Sequence, residues 1–234
     1  MSLLPGEKQA KIIQGELVLQ AITGGPPDSL GWVIFAHGSG SGRHSPRNHW
    51  VASRLQARGF ATVLVDLLTE EEAGIRENVF NMELLSKRLL LVRHWIEIQS
   101  GGQVPVAYFG SSTGAGAALR AAAEEPGQVF AVVSRGGRPD LARRSLSSVE
   151  APTLLLVGGQ DEGIFEFNRE SFKRLKCEKG LRIIPGAGHL FEEPGAMEAV
   201  CNVTIDWLLA HLPLKERSSQ REPDLQPNRP SSTV

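Results

Sequence analysis

The sequence predicts an α/β protein built on a doubly wound, mostly parallel sheet with helices on both faces. Three observations carry that prediction. Strand-like and helix-like segments alternate from residue 32 onward. The strand-like segments are near-continuous apolar runs, as strands buried on both faces of a parallel sheet are. The 234 residues are 41% hydrophobic and 22% charged, which is globular, and 25 glycines and 14 prolines suit many tight connections.

Each element has its own signal. Ile12-Ile13 and Glu16 to Ile22 alternate loosely and read as strands, and Trp32 to Ala36 is a short buried strand. It runs into a glycine-rich loop, His37 to Gly42. Ser45-Pro46 then supplies an N-cap and a first-turn proline for a helix that Gly59 stops. Ala61 to Val65 is the next strand, followed by a polar, acidic connection from Thr69 to Glu77. Phe80 to Ile98 carries apolar residues at three- and four-residue steps and predicts the longest helix. Val104 to Phe109 is a strand, Ser112 to Glu124 a small-residue helix, and Val129 to Ser134 a strand. Thr153 to Val157 (strand), Phe165 to Lys176 (helix), Leu181 to Ile184 (strand) and Pro194 to His211 (helix) complete the series. One domain is expected over residues 1–212. From Pro213 the chain is polar and proline-rich, and residues 213–234 are expected to form a flexible tail.

A formal net charge of -1 argues against a nucleic-acid or anionic-membrane partner held by bulk charge. The two cysteines, Cys177 and Cys201, cannot make a disulfide framework, and no CxxC or His/Cys cluster suggests zinc. Both are expected in helices. No apolar run approaches the ~20 residues of a membrane span, and the N-terminus lacks a signal-like apolar region. The expectation is a soluble, cytoplasmic protein without cofactor or metal.

The chemistry concentrates in Gly110-Ser111-Ser112-Thr113-Gly114, a G-x-S-x-G match between a buried strand and a helix. Flanking glycines let the backbone turn sharply, and the helix start aims N–H groups at developing negative charge. Register selects Ser112 as nucleophile. A serine needs a general base, and the base needs an orienting carboxylate. His189 and Asp161 both lie just past strand ends, in the order Ser, Asp, His, separated from one another by 49 and 28 residues. His44, His49 and His94 are worse placed, and Glu162, Asp140 and Asp66 are weaker rivals for the acid. The oxyanion donors are expected to be the N–H groups of Ser39, in the glycine-rich loop, and Thr113. Gly110, Gly114 and Gly116 also resemble a dehydrogenase cofactor loop. That reading fails, because the single tyrosine, Tyr108, lacks the required Tyr-x-x-x-Lys partner. As a phosphate loop, residues 37–42 lack G-K-[ST].

These motifs, with Gly158-Gly-Gln-Asp161 and Gly188-His-Leu-Phe-Glu192, resemble those of α/β-hydrolases, and specifically of the dienelactone hydrolase-like group. The resemblance spans about residues 11–212. Arg135-Gly-Gly-Arg-Pro-Asp140 is similar to a segment of members that are in some cases fused to a phosphoribosyltransferase domain, which has no counterpart expected here. The resemblance implies the α/β-hydrolase fold and ester hydrolysis. Dienelactone hydrolases proper carry cysteine at the elbow where this chain has Ser112, which points away from dienelactone itself.

The stretch from Ser134 to Thr153 is too short for a lid domain, so a small, open pocket is expected. Arg43, Arg47, Arg135 and Arg138 are candidates for its rim, where guanidinium groups would hold an anionic substrate. Equally, they pair with Asp140, Glu162 or solvent. The function expected is a serine esterase on a small, anionic substrate. The alternatives are thioester, peptide or acyl-transfer chemistry by the same triad, or a non-catalytic binding module. The expected partner is a small-molecule ester, with neither nucleic acid nor membrane, and monomer versus homodimer stays open.

Overall fold

In a computed structural model, residue 3 and residues 6–213 are described. The predicted tail therefore lies, apart from Pro213, outside the described residues. The elements run in chain order as β1 (Lys8–Gln14), β2 (Leu17–Gly24), β3 (Trp32–Ala36), α1 (Pro46–Ala57), β4 (Ala61–Val65), α2 (Glu70–Ala73), α3 (Arg76–Val79), α4 (Met82–Ser100), β5 (Val106–Ser111), α5 (Thr113–Glu124), β6 (Ala131–Arg135), β7 (Thr153–Gly158), α6 (Glu162–Arg174), β8 (Lys179–Ile184) and α7 (Ala196–His211).

The strands form one sheet in the order β1-β2-β4-β3-β5-β6-β7-β8. The pairs β1/β2 and β2/β4 are antiparallel, and every pair from β4 to β8 is parallel. Both faces of the parallel part are buried apart from the edge strand β8, so alternate residues of one inner strand enter different cores. Val33 and Phe35 pack with α1 and α7, while Ile34 and Ala36 pack with α4 and α5. This explains the apolar runs without polar alternation. Between β6 and β7 the chain makes only two short 3-10 turns, Pro139–Ala142 and Leu146–Ser148, and no lid domain.

Local chemistry sets the boundaries. Ser45 caps α1 by accepting the Asn48 N–H at 3.4 Å, with Pro46 in the first turn. The longest helix begins at Met82 rather than Phe80, because the Asn81 side chain accepts the Leu84 N–H at 3.0 Å. It ends at Gly101, whose φ of 70° is the left-handed conformation of a C-terminal cap. The connection after β4 is not bare loop. A reciprocal cap between Thr69 and Glu72 starts α2, and α3 follows. Cys201 is in α7 as expected, but Cys177 lies in the connection between α6 and β8, because α6 stops at Arg174. Burial pushes the Cys201 thiol up to about 11. Among the described residues no helix is long and apolar enough to cross a membrane.

The sheet order fixes where a site can form. From β3 the chain first steps to β4 on one side, and β5 then takes the other side. The connections leaving β3 and β5 diverge there, opening a crevice at the carboxyl ends of both strands. The glycine-rich loop leaves β3 and the elbow leaves β5 at that point.

Candidate active site

The elbow is held in an unusual backbone state. Ser112 has φ 50° and ψ -121° between β5 and α5, a conformation seldom adopted by a residue with a side chain. Its surroundings over-determine it. The Ser112 N–H donates to the Arg135 carbonyl at 3.2 Å, and the Ser112 carbonyl accepts from Arg138 N–H at 2.9 Å and Ala115 N–H at 3.1 Å. The flanking glycines are required by space. A Cβ on Gly114 would run into the Ala36 and His37 carbonyls, and one on Gly110 into the Ala115 backbone. A Cβ on Gly38 would stand 3.0 Å from Ser112 Cβ, so the loop after β3 rides directly over the nucleophile candidate.

Asp161 occupies the residue before α6, just past β7, with no capping bond from its side chain, and His189 follows β8. The His189 Nδ1–H donates to Asp161 Oδ2 at 2.6 Å, leaving Nε2 for a second partner. Backbone bonds zip the two loops together, from Gly159 N–H to Ile184 O at 2.9 Å and from Gln160 N–H to Ala187 O at 2.9 Å. A Cβ on Gly158 would strike the Ala187 and Gly188 carbonyls, so only glycine permits this approach. Glu193 Oε1 accepts the Gly188 N–H at 2.9 Å and anchors the histidine loop.

The Gly38–Ser39 peptide is fixed from both ends. Leu67 N–H donates to His37 Nε2 at 3.1 Å, which puts the proton on Nδ1, and Nδ1–H donates to the Gly38 carbonyl at 2.9 Å. Burial holds the His37 pKa below its ordinary value, consistent with this neutral tautomer. The Ser39 N–H points the opposite way and donates to Thr113 Oγ1 at 3.0 Å. Ser39 N–H thus faces the elbow as expected, but the adjoining hydroxyl already occupies it. Thr113 opens α5, where first-turn N–H groups have no intrahelical acceptor.

Ser39, Ser112, His189, Arg47 and Arg135 line one cleft of about 250 Å³. Arg43 and Arg138 do not, which corrects the expectation of four rim arginines. Arg43 is taken by Asp66, which accepts from both its guanidinium and its backbone N–H. Arg138 is held by both carboxylate oxygens of Asp140 at 2.8 and 2.7 Å and stacks 4.5 Å over Phe167. Arg47 reaches Glu192 at 2.6 Å in an exposed pair. Arg135 differs from all three. It is 8% exposed, and no carboxylate among the described residues lies within ion-pair distance of it. Among the described residues its guanidinium has only Asn48 Oδ1 at 3.5 Å, Met197 Sδ at 3.7 Å and the Phe191 ring at 6.0 Å, and its Nε is unbonded. Burial, with repulsion from Arg47, pushes its pKa down to about 10, so it stays charged at neutral pH. Asn48, Ser111, Met197 and Glu193 were not singled out from the sequence. The Ser111 hydroxyl donates to Asn48 Oδ1 at 3.1 Å, a contact across 63 residues that no local pattern encodes.

No protein-family model matches the chain. It is 50% identical over 207 residues to a Mycobacterium tuberculosis protein named "Putative phosphoribosyl transferase", covering 88% of this chain and 47% of that one. The chain thus spans about half the length of the curated relatives it matches. Est1E from Butyrivibrio proteoclasticus (TM-score 0.73, 17% identity, 87% of this chain and 98% of that one) and the esterase domain of a Rhodothermus marinus protein (TM-score 0.71, 17% identity, 88% and 99%) share the fold. The crystal structure of dienelactone hydrolase from Anabaena variabilis superposes with a TM-score of 0.84 at 48% identity, over 88% of this chain and 98% of that one. Identity at that level over nearly all of a solved relative, on a shared mostly parallel eight-stranded sheet, shows that the chain belongs to the dienelactone hydrolase-like group of the α/β-hydrolase superfamily.

Proposed function

We propose that the protein is a serine hydrolase that cleaves carboxylic esters of a small, anionic substrate through an acyl-enzyme. The observation that carries this reading is the left-handed φ of 50° at Ser112, in a cleft shared with a histidine bonded to a carboxylate. Strain of about 1–3 kcal/mol at one residue persists where it presents a reacting atom.

In the proposed reaction Ser112 Oγ attacks the ester carbonyl carbon as its proton passes to His189 Nε2. Asp161 keeps the imidazole oriented and stabilises its charged form. The carbonyl oxygen becomes an oxyanion at the N–H groups of Thr113 and Ser39, the latter exchanging Thr113 Oγ1 for the stronger acceptor. Collapse breaks the bond to the alcohol oxygen, which takes the proton from His189. Water then repeats the cycle on the acyl-enzyme, releasing the acid and free Ser112. Arg135, charged, buried and without a carboxylate partner among the described residues, fits a substrate anion, with Arg47 adding to the field at the cleft mouth.

The test is labelling by a fluorophosphonate probe. The wild type labels and Ser112→Ala does not, while an unlabelled wild type would overturn the catalytic reading. A panel of p-nitrophenyl esters and thioesters then identifies the acyl chemistry.

A further inference from the structure

The Gly38–Ser41 segment is a wall shared by two hollows. One is the cleft with Ser112, His189 and Arg135. The other, of about 280 Å³, shares that segment and is bounded by Leu68, Ala73, Val79 and Leu85, with Thr113 also in its lining. The two have opposite character. The first is floored by a buried guanidinium and the polar groups of Asn48 and Ser111. The second has aliphatic walls and no guanidinium in its lining; of its two carboxylates Asp66 is paired with Arg43, and Glu70 would repel an anion.

The two N–H donors assigned to the oxyanion belong to Ser39 and Thr113, and both residues border the second hollow. A carbonyl seated on those donors therefore lies at the junction. One substituent of the ester is on the arginine side, and the other is carried past the oxyanion peptide to the aliphatic side. The aliphatic wall is also braced. Glu72 bonds Arg88 at 2.5 Å, and its carbonyl accepts from Asn78 Nδ2 at 3.0 Å, tying α2 and α3 to α4.

Resting on the catalytic reading above, we propose that this second hollow is a subsite for an uncharged, apolar substituent, and that the substrate is a two-ended ester. Its anion sits at Arg135, and a short alkyl chain or a single ring sits among Leu68, Ala73, Val79 and Leu85. The volume is at or below the lower end of the ~300–1,000 Å³ usual for ligand pockets. That suits a small group and excludes a long acyl chain.

Two variants act on the wall in opposite directions. Ala73 is exposed at the end of α2, so Ala73→Trp narrows the hollow without entering the core, and Val79→Ala widens it. Each is assayed on p-nitrophenyl acetate to decanoate and on alkyl acetates of rising length, which separates acyl from alcohol occupancy. In one of the series, wild-type kcat/KM rises to a medium-length optimum. Ala73→Trp lowers the optimum substrate tenfold or more and leaves the shortest ester within about twofold. Val79→Ala moves the optimum to a longer chain. Melting temperatures identify any loss of fold, and in that case the other variant decides. Wild-type length profiles in both variants and both series would overturn the subsite while leaving the catalytic reading intact. No hydrolysis and no fluorophosphonate labelling by the wild type would remove both.

Discussion

Two buried arginines sit in different regions of this molecule and have opposite surroundings. Arg93, on α4, is 3% exposed. It bonds Glu97 at 2.5 Å and also bonds Glu125 at the end of α5, with Gln128 at 3.4 Å. Arg135, at the end of β6, is 8% exposed and, among the described residues, has only an amide oxygen, a thioether and a ring face beside it. Burying a charge without a partner is expensive, and proteins tolerate it where something else supplies the partner. Arg93 clamps two helices. Arg135 has no such clamp among the described residues, and under the proposed function a substrate anion is its partner.

The sharpest break between the regions is expected from Ser112→Ala. It should lower kcat/KM by about 10⁴-fold or more, as loss of a triad nucleophile does, with no loss of melting temperature. The two arginines should then separate. Arg135→Gln is expected to reduce kcat/KM on p-nitrophenyl hemisuccinate by about 10- to 100-fold, the range of a charge-assisted contact, and to spare p-nitrophenyl acetate. Its stability should hold or rise. Arg93→Leu is expected to do the reverse, leaving kcat/KM of the folded protein unchanged and removing about 1–2 kcal/mol of stability. That is less than for a fully buried pair, because its two glutamates are about a quarter exposed. Equal losses of stability in the two variants would erase the distinction.

The smallest effect concerns pH. Burial holds His37 below 6.5 in the folded protein, so the unfolded chain takes up a proton first as pH falls. Its contribution to stability is therefore complete above pH 6.5 and fades as pH drops from there towards the folded pKa. Between pH 7.5 and 5.5 the wild type should lose more melting temperature than His37→Gln.

Much of this was legible in the sequence, for physical reasons. Parallel strands buried on both faces leave continuous apolar runs, and the elbow leaves two glycines because any Cβ there meets backbone. Ser112, Asp161 and His189 could be ordered because each follows a strand end. The partners of the arginines were harder. Asp66 lies 23 residues from Arg43 and Glu192 lies 145 from Arg47, distances over which only the folded chain decides. Asp140, two residues from Arg138, was named from the sequence as a partner for these arginines and is the one Arg138 takes. The helices α2 and α3 are one turn each and have no apolar period, although Thr69-x-x-Glu72 is a readable start signal. The neighbours of Arg135, Asn48, Met197 and Phe191, lie 56 to 87 residues away in sequence, and no local pattern marks them.

The backbone at Ser112 has a consequence for the protein's history and its engineering. Glycine would relax the φ of 50°, recovering up to about 3 kcal/mol less the ~0.5–1 kcal/mol that glycine's unfolded freedom removes. A β-branched threonine would fit worse than serine, whereas cysteine differs from serine by one atom. Selection for heat tolerance alone would thus drift towards a glycine, which under the proposed function has no nucleophile. Any library screened only for thermal survival should be expected to discard this position first.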